Sequence, residues 1–307
     1  MDNRLPERIS LGQTDLRISP LGLGTNAWGF RHRGDPSKLP TLEAALAGGI
    51  NFIDTAEVYL FGGSEKTLGL LLPKHRTEVV LASKFFPYPW RLTRFSLKAA
   101  LQCSLQRLGV AQLDLYILHF PVPPVPLETW VDALADVQQA GLTRAVGISN
   151  CNAQQTRRAQ AVLVKHGLAL ASNQVEYSLL NRSAERKGLL ETCQELGVTL
   201  VAYRPLGYGL LTGKYKPEDL PAVLHGRLIQ KADLRRVSPL IELLGELGRS
   251  HGKTPAQVTL NWIVCKGAVP IPGAKNPTQA AQNAGALGWR LEPAEVDALE
   301  RASASML

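Results

Sequence analysis

Short apolar, β-branched runs recur along this chain at intervals of about 30 residues, separated by amphipathic stretches. The runs are ISPLGLG (18–24), INFID (50–54), VVLASK (79–84), LDLYILH (113–119), RAVGIS (144–149), LASNQV (170–175), TLVAY (199–203) and AVPIP (268–272). They are nearly continuous in hydrophobicity rather than alternating, as parallel strands buried on both faces are. Helical patterns fill the spaces between them. Asp35-Pro36 is a good N-cap and first-turn pair for a helix that stops at Gly48-Gly49. Ser64 is placed to cap a short helix ending before Pro73. Residues 96–108 put Leu97, Leu101, Leu105 and Leu108 on one face, and residues 127–140 do the same with Leu127, Trp130, Val131, Leu134 and Val137. Further helices are expected over 152–166, 183–196, from Thr254-Pro255 onward, and over 293–302.

Strand and helix thus alternate eight times, with one longer gap between 203 and 268. That rhythm predicts parallel βαβ units, and eight of them can close into a (β/α)8 TIM barrel of the α/β class. A doubly wound open sheet is the rival, but it calls for GxGxxG after its first strand, and GLGTNAWG does not fit. The segment 8–18 reads as a β-hairpin that closes the barrel bottom. Residues 207–237 are rich in Gly, Pro, Lys and Arg with a poor helical pattern, and read as a cover for a bound ligand.

Composition narrows the function classes. The net charge is +8, but the basic residues are scattered, so no nucleic-acid face is expected. Cys103, Cys151, Cys193 and Cys265 show neither CxxC nor metal spacing and read as reduced thiols. No apolar signal core or membrane-length run is present, and a cytoplasmic protein is expected.

The chemistry lies where the strands end. Asp54 ends the second run, Lys84 the third, His119 the fourth; Ser149-Asn150 follow the fifth, the sixth carries Gln174, and Tyr203-Arg204 end the seventh. In a (β/α)8 barrel these positions share one face, the one that holds active sites. Asp54 and Lys84 end neighbouring strands and can pair, which would answer the desolvation of a carboxylate there. Lys84 beside Tyr59 is expected to lower the phenol pKa from its usual value near 10. Such a tyrosine protonates a developing alkoxide, while His119 orients the carbonyl oxygen.

The ordered segments ISPLGLGT (18–25), NFIDTAEVYLFGGSE (51–65), SLQRLGVAQLDLYILHFP (104–121), VGISN (146–150), NQVEYSLL (173–180), YRPLGYGLLTGKY (203–215) and VPIPGAKNPTQAAQN (269–283) carry a resemblance over residues 8 to about 300. The chain resembles an aldo-keto reductase, in the branch that includes potassium-channel β-subunits and many bacterial and plant reductases. The resemblance implies a single barrel domain over 1–307 and a catalytic tetrad of Asp54, Tyr59, Lys84 and His119. It implies NADPH bound without a Rossmann domain, with the nicotinamide on Tyr203 and its carboxamide held by Ser149, Asn150 and Gln174. Gly24 and Thr25 would also belong to the cofactor-binding set. Arg204, Pro205, Leu206, Gly207, Gly209, Leu211, Gly213 and Lys214 would follow the pyrophosphate. Gly273, Lys275, Gln279, Gln282 and Asn283 would surround the adenosine end. Gly273 and Gln279 stand where the best-known reductases carry Lys and Arg, so NADH remains the alternative cofactor.

Trp28, Phe85, Phe86, Tyr88, Trp90 and Phe120 are the expected pocket lining, which suits aldehydes or ketones with hydrophobic or aromatic groups. The expected function is NADPH-dependent carbonyl reduction. The alternative is a low-turnover NADP-binding regulatory protein. Oligomeric state is open.

Overall fold

The computed structural model describes residues 7–215, 223–224, 227–228 and 231–304. Eight parallel strands form one hydrogen-bonded series. They are β3 (Gly22–Gly24), β4 (Phe52–Asp54), β5 (Val80–Phe85), β6 (Leu113–Leu118), β7 (Thr143–Ser149), β8 (Leu170–Glu176), β9 (Thr199–Tyr203) and β12 (Val269–Pro270). Their order follows the chain, and the two ends meet: Gly24 N–H donates to Pro272 O at 3.0 Å, beside a parallel bridge from Gly24 to Gly273. The seam explains the glycines of LGLG. A Cβ on Gly22 would lie 2.8 Å from both Ile271 and Phe52 side-chain carbons, and one on Gly24 would lie 3.1 Å from Ile271 O.

The bottom closure has a hydrophobic cause. Strands β1 (Ile9–Ser10) and β2 (Arg17–Ile18) pair antiparallel. Leu11, Leu16 and Ile18 of this hairpin pack among Phe52, Val80, Ala82, Leu115 and Ile117 from the barrel interior. The hairpin sits close because Gly12 has φ +58 and its missing Cβ would fall 2.5 Å from Ala171 O. The first expected run, 18–24, is broken at Ser19–Leu21 around Pro20, which separates β2 from β3.

The helices are α1 (Leu39–Ala47), α2 (Gly63–Leu71), α3 (Arg94–Leu108), α4 (Leu127–Gln139), α5 (Ala153–Lys165), α6 (Ser183–Arg186), α7 (Leu189–Glu195), α8 (Lys231–His251), α9 (Pro255–Cys265), α10 (Pro277–Ala284) and α11 (Pro293–Ala304). Asp35 caps the short turn leading into α1, as expected. Ser64 does not cap α2; Gly62 does, in the left-handed region. The expected helix over 183–196 is divided at Gly188, which has φ +66. Two helices, α8 and α10, lay outside the expectation. Val237, Leu240 and Leu244 of α8 are buried, so tertiary packing rather than propensity carries that helix. Part of the expected ligand cover, 216–222, 225–226 and 229–230, lies outside the described residues. Among those described, β10 (Val223–Leu224) and β11 (Arg227–Leu228) form a small hairpin. No helix among the described residues is long and apolar enough to cross a membrane.

At the foot of β6, Asp114 ties three strands together. It is 2% exposed, accepts from Leu81 N–H at 2.8 Å, and pairs with Arg76 at 2.9 Å and Arg144 at 3.2 Å. Replacing it leaves the buried Leu81 N–H without its acceptor and takes one carboxylate partner from Arg76 and from Arg144, which retain Val79 O and Gln112 O, and Asp15, respectively. Asp114→Ala should therefore lower stability by roughly 2–4 kcal/mol, read as a lower urea midpoint with the folded-state activity retained. An unchanged midpoint would show that the Asp114 contacts add nothing to stability.

Candidate active site

The catalytic face follows from the two-residue period of the strands. On β4, Phe52 and Asp54 point inward; on β5, Val80, Ala82 and Lys84 do so. The apolar members fill the barrel, and the last inward position of each strand carries the polar group. Lys84 Nζ lies 2.6 Å from Asp54 Oδ2, and both side chains are almost wholly buried. Lys84 also donates to Thr55 O at 2.7 Å and to Tyr59 Oη at 3.3 Å. The ring of His119, just past β6, meets the Tyr59 ring edge-on at 5.9 Å. The structure thus brings Asp54, Tyr59, Lys84 and His119 together.

Their protonation follows from burial and charge. Burial pushes the Tyr59 phenol above its ordinary range; Lys84 pulls it down, and Asp54 pushes it up again. The expected lowering is thus overturned: desolvation of the phenolate outweighs the cation at 3.3 Å. Tyr59 therefore holds its proton through the neutral range. Burial opposes the charge on Lys84, but Asp54 and Tyr59 carry its pKa above the ordinary lysine value, so it stays cationic. His119 is pushed down to about 3 by burial first and the Lys84 charge second, so its imidazole is neutral. Its buried Nδ1 has no hydrogen-bond partner among the described residues.

The surrounding polar residues are joined to this set. Gln174 Nε2 donates to Asp54 Oδ1 at 2.8 Å. Ser149 Oγ donates to Gln174 O at 2.8 Å. Asn150, at φ +58, donates through Nδ2 to His119 O and Ser149 Oγ, both at 3.0 Å, and accepts from the Tyr203 hydroxyl at 2.9 Å. Both of its amide hydrogens are therefore engaged within the chain. Thr25 Oγ1 donates to Asp54 O at 2.9 Å and contacts Ser64 Oγ, which also reaches Thr55. Thr25 thus braces the Asp54 backbone, and Ser64 is held inside this cluster rather than at a helix cap.

An aromatic series leads outward from His119. Phe120 stacks on His119 at 5.0 Å, Phe86 meets it edge-on at 5.6 Å, Tyr88 lies 4.7 Å from Phe86, and Trp90 stacks on Tyr88 at 4.7 Å. Trp90 is 73% exposed at the outer end. Two expected pocket residues are elsewhere. Phe85 follows the inward Lys84, so it points out of the barrel and packs on Trp130 of α4 at 4.9 Å. Trp28 is buried in the core, with its indole N–H donating to Ala274 O at 2.7 Å. Sequence spacing also missed what holds the aromatic loop. Glu57 accepts from Phe86 N–H at 2.7 Å and pairs with Arg91 at 2.5 Å. Glu57 and Phe86 are 29 residues apart, so no local spacing signalled the contact.

The strap after β9 turns sharply, with positive φ at Arg204, Gly207, Tyr208, Gly209 and Gly213. Tyr203 and Leu206 are partly exposed, and Arg204, Gly213 and Lys214 are exposed. Pro205 and Gly207 are buried, and Leu211 is 0% exposed in the core, so the Leu211 side chain supports the strap instead of facing a ligand. At the far end, Gly273, Lys275 and Gln282 are exposed. Gln279 accepts from Lys275 N–H at 2.8 Å and Asn283 donates to Gly273 O at 3.2 Å, both shaping the loop.

Known proteins resemble this chain over most of its length. The model of the Aldo/keto reductase family matches residues 20–304. A chloroplastic pyridoxal reductase of Arabidopsis thaliana is 39% identical over 316 aligned residues, which cover 97% of this chain and 86% of the relative. The glycerol dehydrogenase of Gluconobacter oxydans superposes with a TM-score of 0.88 at 27% identity, covering 100% of this chain and 97% of that one. An aldo-keto reductase from Klebsiella pneumoniae, solved in complex with NADPH, gives 0.76 at 28% identity over 97% and 95% of the two chains. A match of this extent shows that the chain belongs to the aldo/keto reductase family and is an NAD(P)H-dependent oxidoreductase.

Proposed function

We propose that residues 1–307 act as one unit that reduces aldehydes or ketones with NADPH, with Tyr59 as the proton donor. The observation that carries this reading is the buried Asp54–Lys84–Tyr59 chain, with contacts of 2.6 and 3.3 Å, beside a neutral His119. The residues suit a nicotinamide cofactor. The Tyr203 ring is partly exposed at the end of β9, and Gln174 Oε1 accepts no hydrogen bond among the described residues. The Lys275 side chain is exposed and unpaired among them, ready for an adenosine 2′-phosphate. When bound, NADPH supplies the hydride for the carbonyl carbon.

The chain's own residues handle the oxygen. His119, neutral, donates a hydrogen bond that orients the carbonyl and steadies charge as it develops on that oxygen. Tyr59 transfers its proton to the oxygen. Lys84 stabilises the phenolate left behind, and Asp54 keeps Lys84 in place. In the alcohol-oxidising direction the same phenolate takes the proton back.

The aromatic series from His119 to Trp90 supports a hydrophobic or aromatic carbonyl substrate. The relative named a pyridoxal reductase suggests an aromatic aldehyde for the test panel, and the neighbour named a glycerol dehydrogenase suggests a polyol as its counterpart.

Tyr59→Phe should lower kcat for aldehyde reduction by about 10³-fold while NADPH still quenches tryptophan fluorescence; full activity would refute the acid assignment, and wild-type NADPH binding without turnover of any carbonyl would favour the regulatory alternative. Because His119 stays neutral down to about pH 3, the pH profile of kcat/KM should show no inflection near 6.5. An inflection there that disappears in His119→Asn would overturn the neutral-imidazole role. Lys275→Ala should raise KM for NADPH by about tenfold and leave KM for NADH unchanged; equal effects on both would remove the 2′-phosphate assignment.

A further inference from the structure

Gln174 makes a contact that carbonyl reduction as described above does not use. In the strand order, β8 stands four places from β4, so the two face each other across the barrel. The hydrogen bond from Gln174 Nε2 to Asp54 Oδ1, 2.8 Å long, therefore crosses the barrel and joins residues 120 apart in sequence. Asp54 is 2% exposed, and its other oxygen is committed to Lys84 at 2.6 Å. Among the described residues Gln174 is the partner of Oδ1, and without it half of a buried carboxylate would be left unsatisfied. The opposite end of the same amide, Oε1, accepts nothing among the described residues.

We propose that Gln174 is a positioning residue for the Asp54–Lys84–Tyr59 chain, and that its amide joins that chain to the cofactor, holding Asp54 with its NH2 while Oε1 accepts from the carboxamide NH2. The inference rests on the reading above, in which Tyr59 is the acid and a nicotinamide lies at this face. It adds a direction to the amide. A residue that only recognised the carboxamide could present either end; the bond to Asp54 fixes the donor end inward. The charged and titratable groups around this chain are Lys84 from β5, His119 beyond β6, and Tyr203 and Arg204 at the end of β9. Loss of the Gln174 donor leaves Asp54 to draw Lys84 more closely, and so away from the phenol.

Two variants test this with NADPH and an aromatic aldehyde. Gln174→Leu keeps the volume and removes the amide. At saturating NADPH its kcat should fall about tenfold or more, and the alkaline limb of the kcat profile should move up by about half a pH unit. A raised Kd for NADPH with kcat and limb unchanged would overturn the positioning role. Gln174→Glu covers the case in which the leucine variant does not fold. At pH 8 the introduced carboxylate repels Asp54, so activity should be lost; toward pH 5.5 the carboxyl takes up a proton, donates to Oδ1 and restores turnover. If Oε1 recognition were the whole role, this variant would instead be most active at high pH, because it keeps the acceptor. Tyr59→Phe, assayed alongside, separates the two levels. Retained activity there overturns the acid assignment and the coupling with it. An inactive Tyr59→Phe beside a Gln174→Leu that is normal at saturation overturns the coupling alone.

Discussion

Two opposite charges, Asp54 and Lys84, sit 2.6 Å apart with almost no solvent access. Either one alone in that place would be strongly destabilising, and even the pair repays its desolvation only when its remaining hydrogen-bonding capacity is met. Much of the mouth can be understood as meeting that requirement. Thr55 O and Tyr59 Oη receive the ammonium, Gln174 reaches the far carboxylate oxygen, and Thr25 ties down the Asp54 carbonyl. These partners come from the loop after β4, from β8 and from the loop after β3, while the pair itself stands on β4 and β5. A closed barrel is what brings them to one point, so the ion pair and the architecture depend on each other.

The same closure sets the chemistry of Tyr59. An exposed phenol beside a lysine would ionise more readily. Here the low-dielectric setting penalises phenolate more than Lys84 favours it, so the proton is retained until a stronger base appears. In the proposed reduction, an alkoxide forming at His119 is such a base. His119 contributes because burial and the nearby cation keep it neutral, and a neutral imidazole can donate without adding a further charge to a crowded site.

Above this rigid floor, the backbone takes conformations that non-glycine residues adopt reluctantly. Leu60 and Phe61 directly after Tyr59, Asn150 after β7 and Arg204 after β9 all have φ between 52° and 58°. Each costs of order 1 kcal/mol or more. All stand at strand-to-helix loops on the face that holds the Asp54–Lys84 pair, where strain aims side chains that a relaxed turn would direct elsewhere. Asn150 shows the use: its turned amide holds both the carbonyl of His119 and the hydroxyl of Tyr203.

Periodicity and side-chain type were enough to determine the eight strands, the closing hairpin and the polar strand ends, because each is a local property: burial on both faces writes a continuous apolar run, and a two-residue period assigns the last inward position. Asp54, Lys84 and His119 were legible for that reason. The order of strands was legible too, since consecutive βαβ units pack side by side. Tertiary structure decided what depends on distance and dehydration. Phe85 and Phe86 are equivalent as letters, but only the observed parity puts one against Trp130 and the other beside His119. Helix α8 formed where composition indicated none, because the surface it covers lies outside its own sequence. The direction of the Tyr59 shift reversed, since desolvation is summed over everything packed around the ring. The Gln174–Asp54 bond spans 120 residues, and no spacing rule can register a contact that exists only once the barrel is closed.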